Sequence, residues 1–176
     1  MRAGIIGSRR LTKEQLSYIQ DIAKEFVELG WEVSTGCADG ADHAAMIGAR
    51  LADSSQLYVF LPWYSYNSKY REGGGNFITY NPVFHTAWTE SVHEYHPAPH
   101  NLKQGAFKLH ARNYGIIKNT QVVVAMPMSL SDVGGTGQGI RIAKGLGKEL
   151  FVVCDENERH RLREFLDSIH KEQEEE

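Results

Sequence analysis

The sequence predicts a three-layer α/β sandwich: a mostly parallel sheet of five strands with helices on both faces. Two observations predict it. Short all-apolar runs alternate with helical periodicity along most of the chain, and strands without a polar face are covered on both sides. Late in the chain, Val122-Val123-Val124-Ala125 leads through the glycine-rich Asp132–Gly139 into helical Ile140, Ile142, Ala143 and Leu146. Strand, glycine turn and helix start therefore lie in one line.

Ala3-Gly4-Ile5-Ile6 opens the chain as a short buried strand. Thr12 reads as a helix N-cap, and Gln15, three residues on, completes a capping box. Leu16, Ile19, Ile22, Ala23, Phe26 and Val27 recur at helical spacing, and Gly30 closes that helix. Trp31–Ser34 is the second strand. A second helix follows Gly40, carrying the small residues Ala41, Ala44, Ala45 and Gly48 that suit close packing on a sheet. Leu57–Leu61 is the third strand.

Residues 62–101 break the rhythm. They hold Gly73-Gly74-Gly75, Pro82, Pro97, Pro99 and the aromatics Trp63, Tyr64, Tyr66, Tyr70, Phe77, Tyr80, Phe84 and Trp88. A long aromatic-rich insertion of this kind reads as a lid or binding loop, or as a satellite hydrophobic cluster, with a short helix near 83–92. A helix over roughly 102–118, a strand at 121–126, the glycine turn, a helix to Leu146, the strand Leu150–Val153 and a helix over 156–170 complete the alternation. Residues 171–176 read as a frayed tail.

At 176 residues the chain fits one domain, 1–176, with enough length for a substantial core. A net charge of −3 argues against non-specific nucleic-acid binding, which leaves a basic footprint. Cys37 and Cys154 make no disulfide framework, so a reducing compartment is the simple reading. No signal peptide or membrane span is visible, and a cytoplasmic protein with no membrane partner is expected. His93, His96 and His100 have a superficially metal-like spacing, but a proline-containing loop without supporting cysteines predicts no metal site. No cofactor is implied.

Strand order 3-2-1-4-5 places strands one and four side by side, and ligands bind beyond the carboxyl ends of strands where the order reverses. Three loops converge there. Gly7, Ser8, Arg9 and Arg10 follow strand one; arginine's planar fork suits phosphate, although a solvated turn is the bland alternative. Gly36, Cys37, Asp39, Gly40 and Asp42 follow strand two; either aspartate caps the next helix, meets a ribose or holds an arginine. Gly134, Gly135, Thr136 and Gly137 follow strand four. Their glycines and the helix start favour a phosphate over a tight turn with no ligand. Arg112, on the helix before strand four, either reaches this crevice or makes a surface ion pair. No GxxxxGK[ST] motif exists, and the glycine turn fails the strict GxGxxG pattern, which argues against a dinucleotide fold.

These segments resemble the Rossmann-like superfamily that unites the LOG phosphoribohydrolases with the DprA-like recombination mediators (SLOG). Gly7-Ser8-Arg9, the Gly36–Asp42 loop, and His110-Ala111-Arg112-Asn113 running on to Gly134–Gly137 carry the match. The second segment is more like the DprA side, the third more like the LOG side. The resemblance implies binding of a nucleotide or nucleotide-derived phosphate and, on the LOG side, hydrolysis of a nucleoside 5′-monophosphate at its N-glycosidic bond with Arg112 as a catalytic residue. The LOG glutamate has no counterpart: Gly139 stands in its place. A carboxylate must then come from elsewhere, with Asp42 first and Asp132 or Glu94 behind it, or hydrolysis is absent. Trp63, Tyr66 or Tyr70 is expected to stack on a base, and Lys69 or Arg71 to reach its phosphate. The runner-up readings are single-stranded DNA binding of the DprA kind, with aromatics stacking bases, and a nucleotide sensor without turnover. Both families commonly form dimers, so a homodimer or higher homo-oligomer is expected.

Overall fold

The computed structural model describes residues 1–130 and 134–176. Its strands are β1 (Arg2–Gly7), β2 (Glu32–Thr35), β3 (Leu57–Leu61), β4 (Asn76–Thr79), β5 (Val122–Met126) and β6 (Glu149–Val152). Its helices are α1 (Lys13–Glu28), α2 (Ala41–Asp53), α3 (Thr86–Tyr95), α4 (Gln104–Lys118), α5 (Gly134–Gly145) and α6 (Glu156–Glu175). The strands form one parallel sheet in the order β4-β3-β2-β1-β5-β6. The expected order 3-2-1-4-5 is present, with a sixth strand added at one edge. That strand, β4, lies inside the stretch read as an insertion. It is a half-exposed edge strand after three glycines, without the apolar run that marks its neighbours.

Two cores face the sheet from opposite sides. α1, α2 and α6 bury Ile19, Phe26, Met46, Leu162 and Leu166 on one face. α3, α4 and α5 bury Trp88, Val92, Ile116, Ile117 and Ile142 on the other. The chain is thus a Rossmann-like three-layer sandwich. Thr12 caps α1 as expected: its Oγ1 accepts from the Gln15 N–H at 3.1 Å, and the Gln15 side chain accepts from the Thr12 N–H at 2.9 Å, a box worth about 1 kcal/mol. At the other end, Gly30 takes φ +85° and Trp31 N–H bonds Phe26 O, closing the helix.

The glycine-rich stretch departs from expectation. Gly134–Gly139 is not a turn before a helix but the first turns of α5 itself. Packing explains glycines inside a helix here. A Cβ on Gly139 would lie 2.5 Å from Ile6 Cδ1 of β1, and one on Gly145 would collide with the Tyr95 ring. The preceding Asp132 and Val133 lie outside the described residues. Among the described residues no helix is long and apolar enough to cross a membrane.

Candidate functional site

β1 and β5 are neighbours, yet their following helices leave to opposite faces of the sheet. The gap this opens at the carboxyl ends is a crevice of about 400 Å³. One wall is the turn Gly7–Arg10. A second is a stripe of α4, Ala106, Leu109, His110 and Asn113, whose spacing places them on one helical face. Gly135 and Thr136 bring in the start of α5, and the buried Ala38, Asp42 and Arg112 complete the lining with Ile6 and Met128.

Glycines let the first two loops touch. Gly40 has φ +80°, and a Cβ on it would collide with Ser8 O. A Cβ on Gly7 would lie 2.5 Å from Ala41 Cβ and 2.6 Å from Met126 O. With no side chain between them, Ser8 N–H donates to Met126 O at 2.9 Å and Ser8 O accepts from Ala41 N–H at 3.1 Å. The Ser8 hydroxyl accepts from Arg10 N–H at 3.0 Å, which tightens the turn. Arg9 and Arg10 are left exposed. Across the crevice, hypothetical Cβ atoms on Gly134 and Gly135 meet nothing within 4 Å among the described residues, which leave the space over the first turn of α5 clear. The orphan N–H groups and positive dipole end of a helix favour an anion there.

Arg112 is only 5% exposed, which excludes a surface ion pair. Its guanidinium donates to Gly36 O and, at 3.1 Å, to Phe60 O, so it holds the ends of β2 and β3 together. Its Nε is buried without a hydrogen-bond partner among the described residues. A Cβ on Gly36 would lie 2.7 Å from the Asp42 carboxylate and 2.8 Å from the guanidinium, so the three are packed as one unit. Asp42 accepts from Ala38 N–H at 3.2 Å rather than capping α2. Burial pushes its carboxyl up, opposed by the Arg112 charge and the Ala38 N–H. His110 is 9% exposed, and its Nδ1 is buried without a partner among the described residues. Burial, then the His96, Arg141 and Arg112 charges, lowers its pKa to about 4, so the ring is neutral at neutral pH. Asn113 donates to Gly135 O at 3.0 Å and ties α4 to the start of α5.

The structure thus brings Gly7, Ser8, Arg9, Asp42, Arg112, Gly135 and Thr136 to one crevice. Gly36, Asp39, Gly40, Gly134 and Gly137 support or flank it without lining it. Trp63, Tyr66, Lys69, Tyr70 and Arg71 line no part of it. Long-range bonds hold their segment on α2 and the loop before it instead. Arg50 donates to Tyr70 O at 2.6 Å and Gly74 O at 2.9 Å, and Asn67 donates to Cys37 O at 3.0 Å. Tyr70 stacks on His43 at 3.8 Å and donates to Asp39; Arg71 lies over Tyr64 at 4.1 Å. Tyr66 lies with its ring centroid 5.5 Å from the Arg112 guanidinium. Glu94 does not line the crevice either, and Asp132 lies outside the described residues. The Cys37 thiol is buried and its pKa is pushed up to about 11, mainly by burial, which argues against a nucleophile. Ala106 and Leu109 were not singled out from the sequence, and His110 and Asn113 entered only as part of the segment that carries the resemblance, without a role in the site; the i, i+3, i+4, i+7 spacing of the four was the available signal.

The family model for DNA recombination-mediator protein A matches residues 1–171. The chain belongs to that family. No curated protein sequence matches it. Among solved structures, the molybdenum cofactor carrier protein of Chlamydomonas reinhardtii is similar, with TM-score 0.56 and 18% identity over 85% of this chain and 74% of that one. DNA processing protein A of Streptococcus pneumoniae is similar with TM-score 0.50 and 18% identity, over 85% of this chain and 57% of that one. Its Helicobacter pylori counterpart has TM-score 0.50 and 15% identity over 98% of this chain and 81% of that one. At these identities the likeness is one of fold.

Proposed function

We propose that the chain binds a nucleotide phosphate in the crevice and that the ligand carrying it is single-stranded DNA. The observation behind this reading is the pairing of the exposed Arg9 and Arg10 on one wall with the open start of α5 on the other. Family membership favours DNA over a free nucleotide, as does the similar Helicobacter pylori protein, which binds single-stranded DNA. The reading treats 1–176 as one nucleotide-binding domain of a cytoplasmic protein. Fluorescence anisotropy with a labelled oligothymidylate tests it. The Arg9→Ala/Arg10→Ala double variant should weaken binding at least about tenfold, since each charge-assisted hydrogen bond contributes roughly 1.5–3 kcal/mol. Equal affinity in the two proteins would overturn the reading.

A second reading is hydrolysis of a nucleoside 5′-monophosphate. It draws on Asp42, a buried carboxyl with a raised pKa lining the crevice beside Arg112. Chromatography for free base released from ribo- and deoxyribonucleoside monophosphates, by wild type and Asp42→Asn, decides it. We also infer self-association, supported by the exposed Tyr64, Val83 and Phe84. Light scattering at tens of micromolar that gives a monomer mass would count against it.

A further inference from the structure

We infer that a second groove, on the α3 and α4 side of the sheet and sharing no lining residue with the crevice, binds a planar aromatic anion. The groove holds about 350 Å³ and is lined chiefly by Arg2, Tyr58, Phe60, His85, Trp88 and Lys118. Arg2 begins β1 and Lys118 ends α4, so its cations stand at the amino ends of strands, whereas the crevice lies at their carboxyl ends.

Its aromatic side is built by close packing. His85 stacks on Trp88 at 3.9 Å between ring centroids, and Trp88 lies 5.7 Å from Phe60. Gly115 of α4 makes this possible, since a Cβ there would sit 2.5 Å from Trp88 and 2.8 Å from Phe60. Its polar side is made of donors. His85 Nδ1 accepts from Asn81 N–H at 2.9 Å, so the neutral ring carries its proton on Nε2. Lys118 adds an exposed ammonium. Arg2 stands 4.2 Å from the Tyr58 ring centroid, and its Nε is buried without a partner among the described residues. Glu32 meets Arg2 at 3.4 Å and also hydrogen-bonds Tyr58, while the lining among the described residues includes no carboxylate. An aliphatic anion would use the cations and waste the rings; a neutral ring would do the reverse. A ring bearing a phosphate or carboxylate uses both.

The probes are 1-naphthyl phosphate and 2-naphthoate, titrated into the full chain while the His85 ring and Trp88 indole signals are followed by NMR. Saturable shifts are expected from at least one probe. Shifts from the phosphate alone assign the groove to aryl or nucleoside phosphates, and from the carboxylate to aromatic acids. Lys118→Glu, at an exposed position, should weaken binding at least about tenfold, the loss of one charge-assisted contact. Arg9→Ala, in the crevice, should leave these shifts unchanged, which separates this site from the DNA-binding reading. No saturable shift with either probe, equal shifts with inorganic phosphate, or shifts indifferent to Lys118→Glu would overturn the inference.

Discussion

Truncating Arg112 to alanine would strip a buried charge from two carbonyls and from the packing around Asp42. Breaking such a buried, charge-assisted cluster costs about 3 kcal/mol. Arg112→Ala should therefore lose that much in urea unfolding, with Arg112→Lys intermediate because an ammonium cannot match the fork's geometry. A loss below about 0.5 kcal/mol, the range of ordinary surface changes, would show that the carbonyls find other partners. His110 gives a pH-dependent test. In the unfolded chain it takes up its proton near 6.5, but in the folded protein only near 4. Between those values the unfolded state binds more protons, so stability rises with pH. The His110 contribution is fully present above about 6.5 and is lost as pH falls towards about 4. Asp42 acts oppositely, because its raised pKa favours the folded state where it is protonated. His110→Gln should flatten the unfolding free energy against pH across that window. An unchanged slope would mean that other histidines carry it.

At the scale of elements, α5 contains two kinds of glycine. Gly139 faces Ile6 of β1, and Gly135 meets nothing within 4 Å among the described residues. Gly139→Ala should destabilise by about 1–3 kcal/mol through overpacking, and Gly139→Glu by more, so restoring the LOG glutamate would not restore a catalytic site. Gly135→Ala should be neutral or stabilise by up to about 1 kcal/mol, as alanine favours a helix. Thermal unfolding of both variants checks the opposed signs. The same helix shows what was legible in the sequence and why. Apolar periodicity located α1, α2, α4 and the buried strands, because it reflects burial directly. Glycine content suggested a turn at Gly134–Gly139, because the local signal is blind to Ile6 and Tyr95, which arrive from elsewhere in the chain. β4 escaped notice because an edge strand needs no apolar run. The convergence of Gly7–Arg9 with Gly135 and Thr136 was legible, since strand order alone places them. The docking of Trp63–Arg71 on α2 was not, because it rests on Arg50 and Asn67 bonds across the fold.

For the whole molecule, charge sets how DNA binding should respond to salt. The chain carries a net charge of −3, so its average field repels a polyanion. Attraction must come from a few local cations, and Arg9 and Arg10 are the arginines exposed at the crevice. Counterion release from single strands lowers log K by about 0.7 per phosphate neutralised for each unit of log salt. Two arginines therefore predict a slope of about −1.4, shallow beside a basic DNA-binding domain. Arg10→Ala should halve the slope, not only the affinity. Oligothymidylate anisotropy from 50 to about 300 mM salt, a range over which screening changes strongly, measures it. A slope near −4 or steeper would mean that the strand follows a longer basic track than this crevice offers.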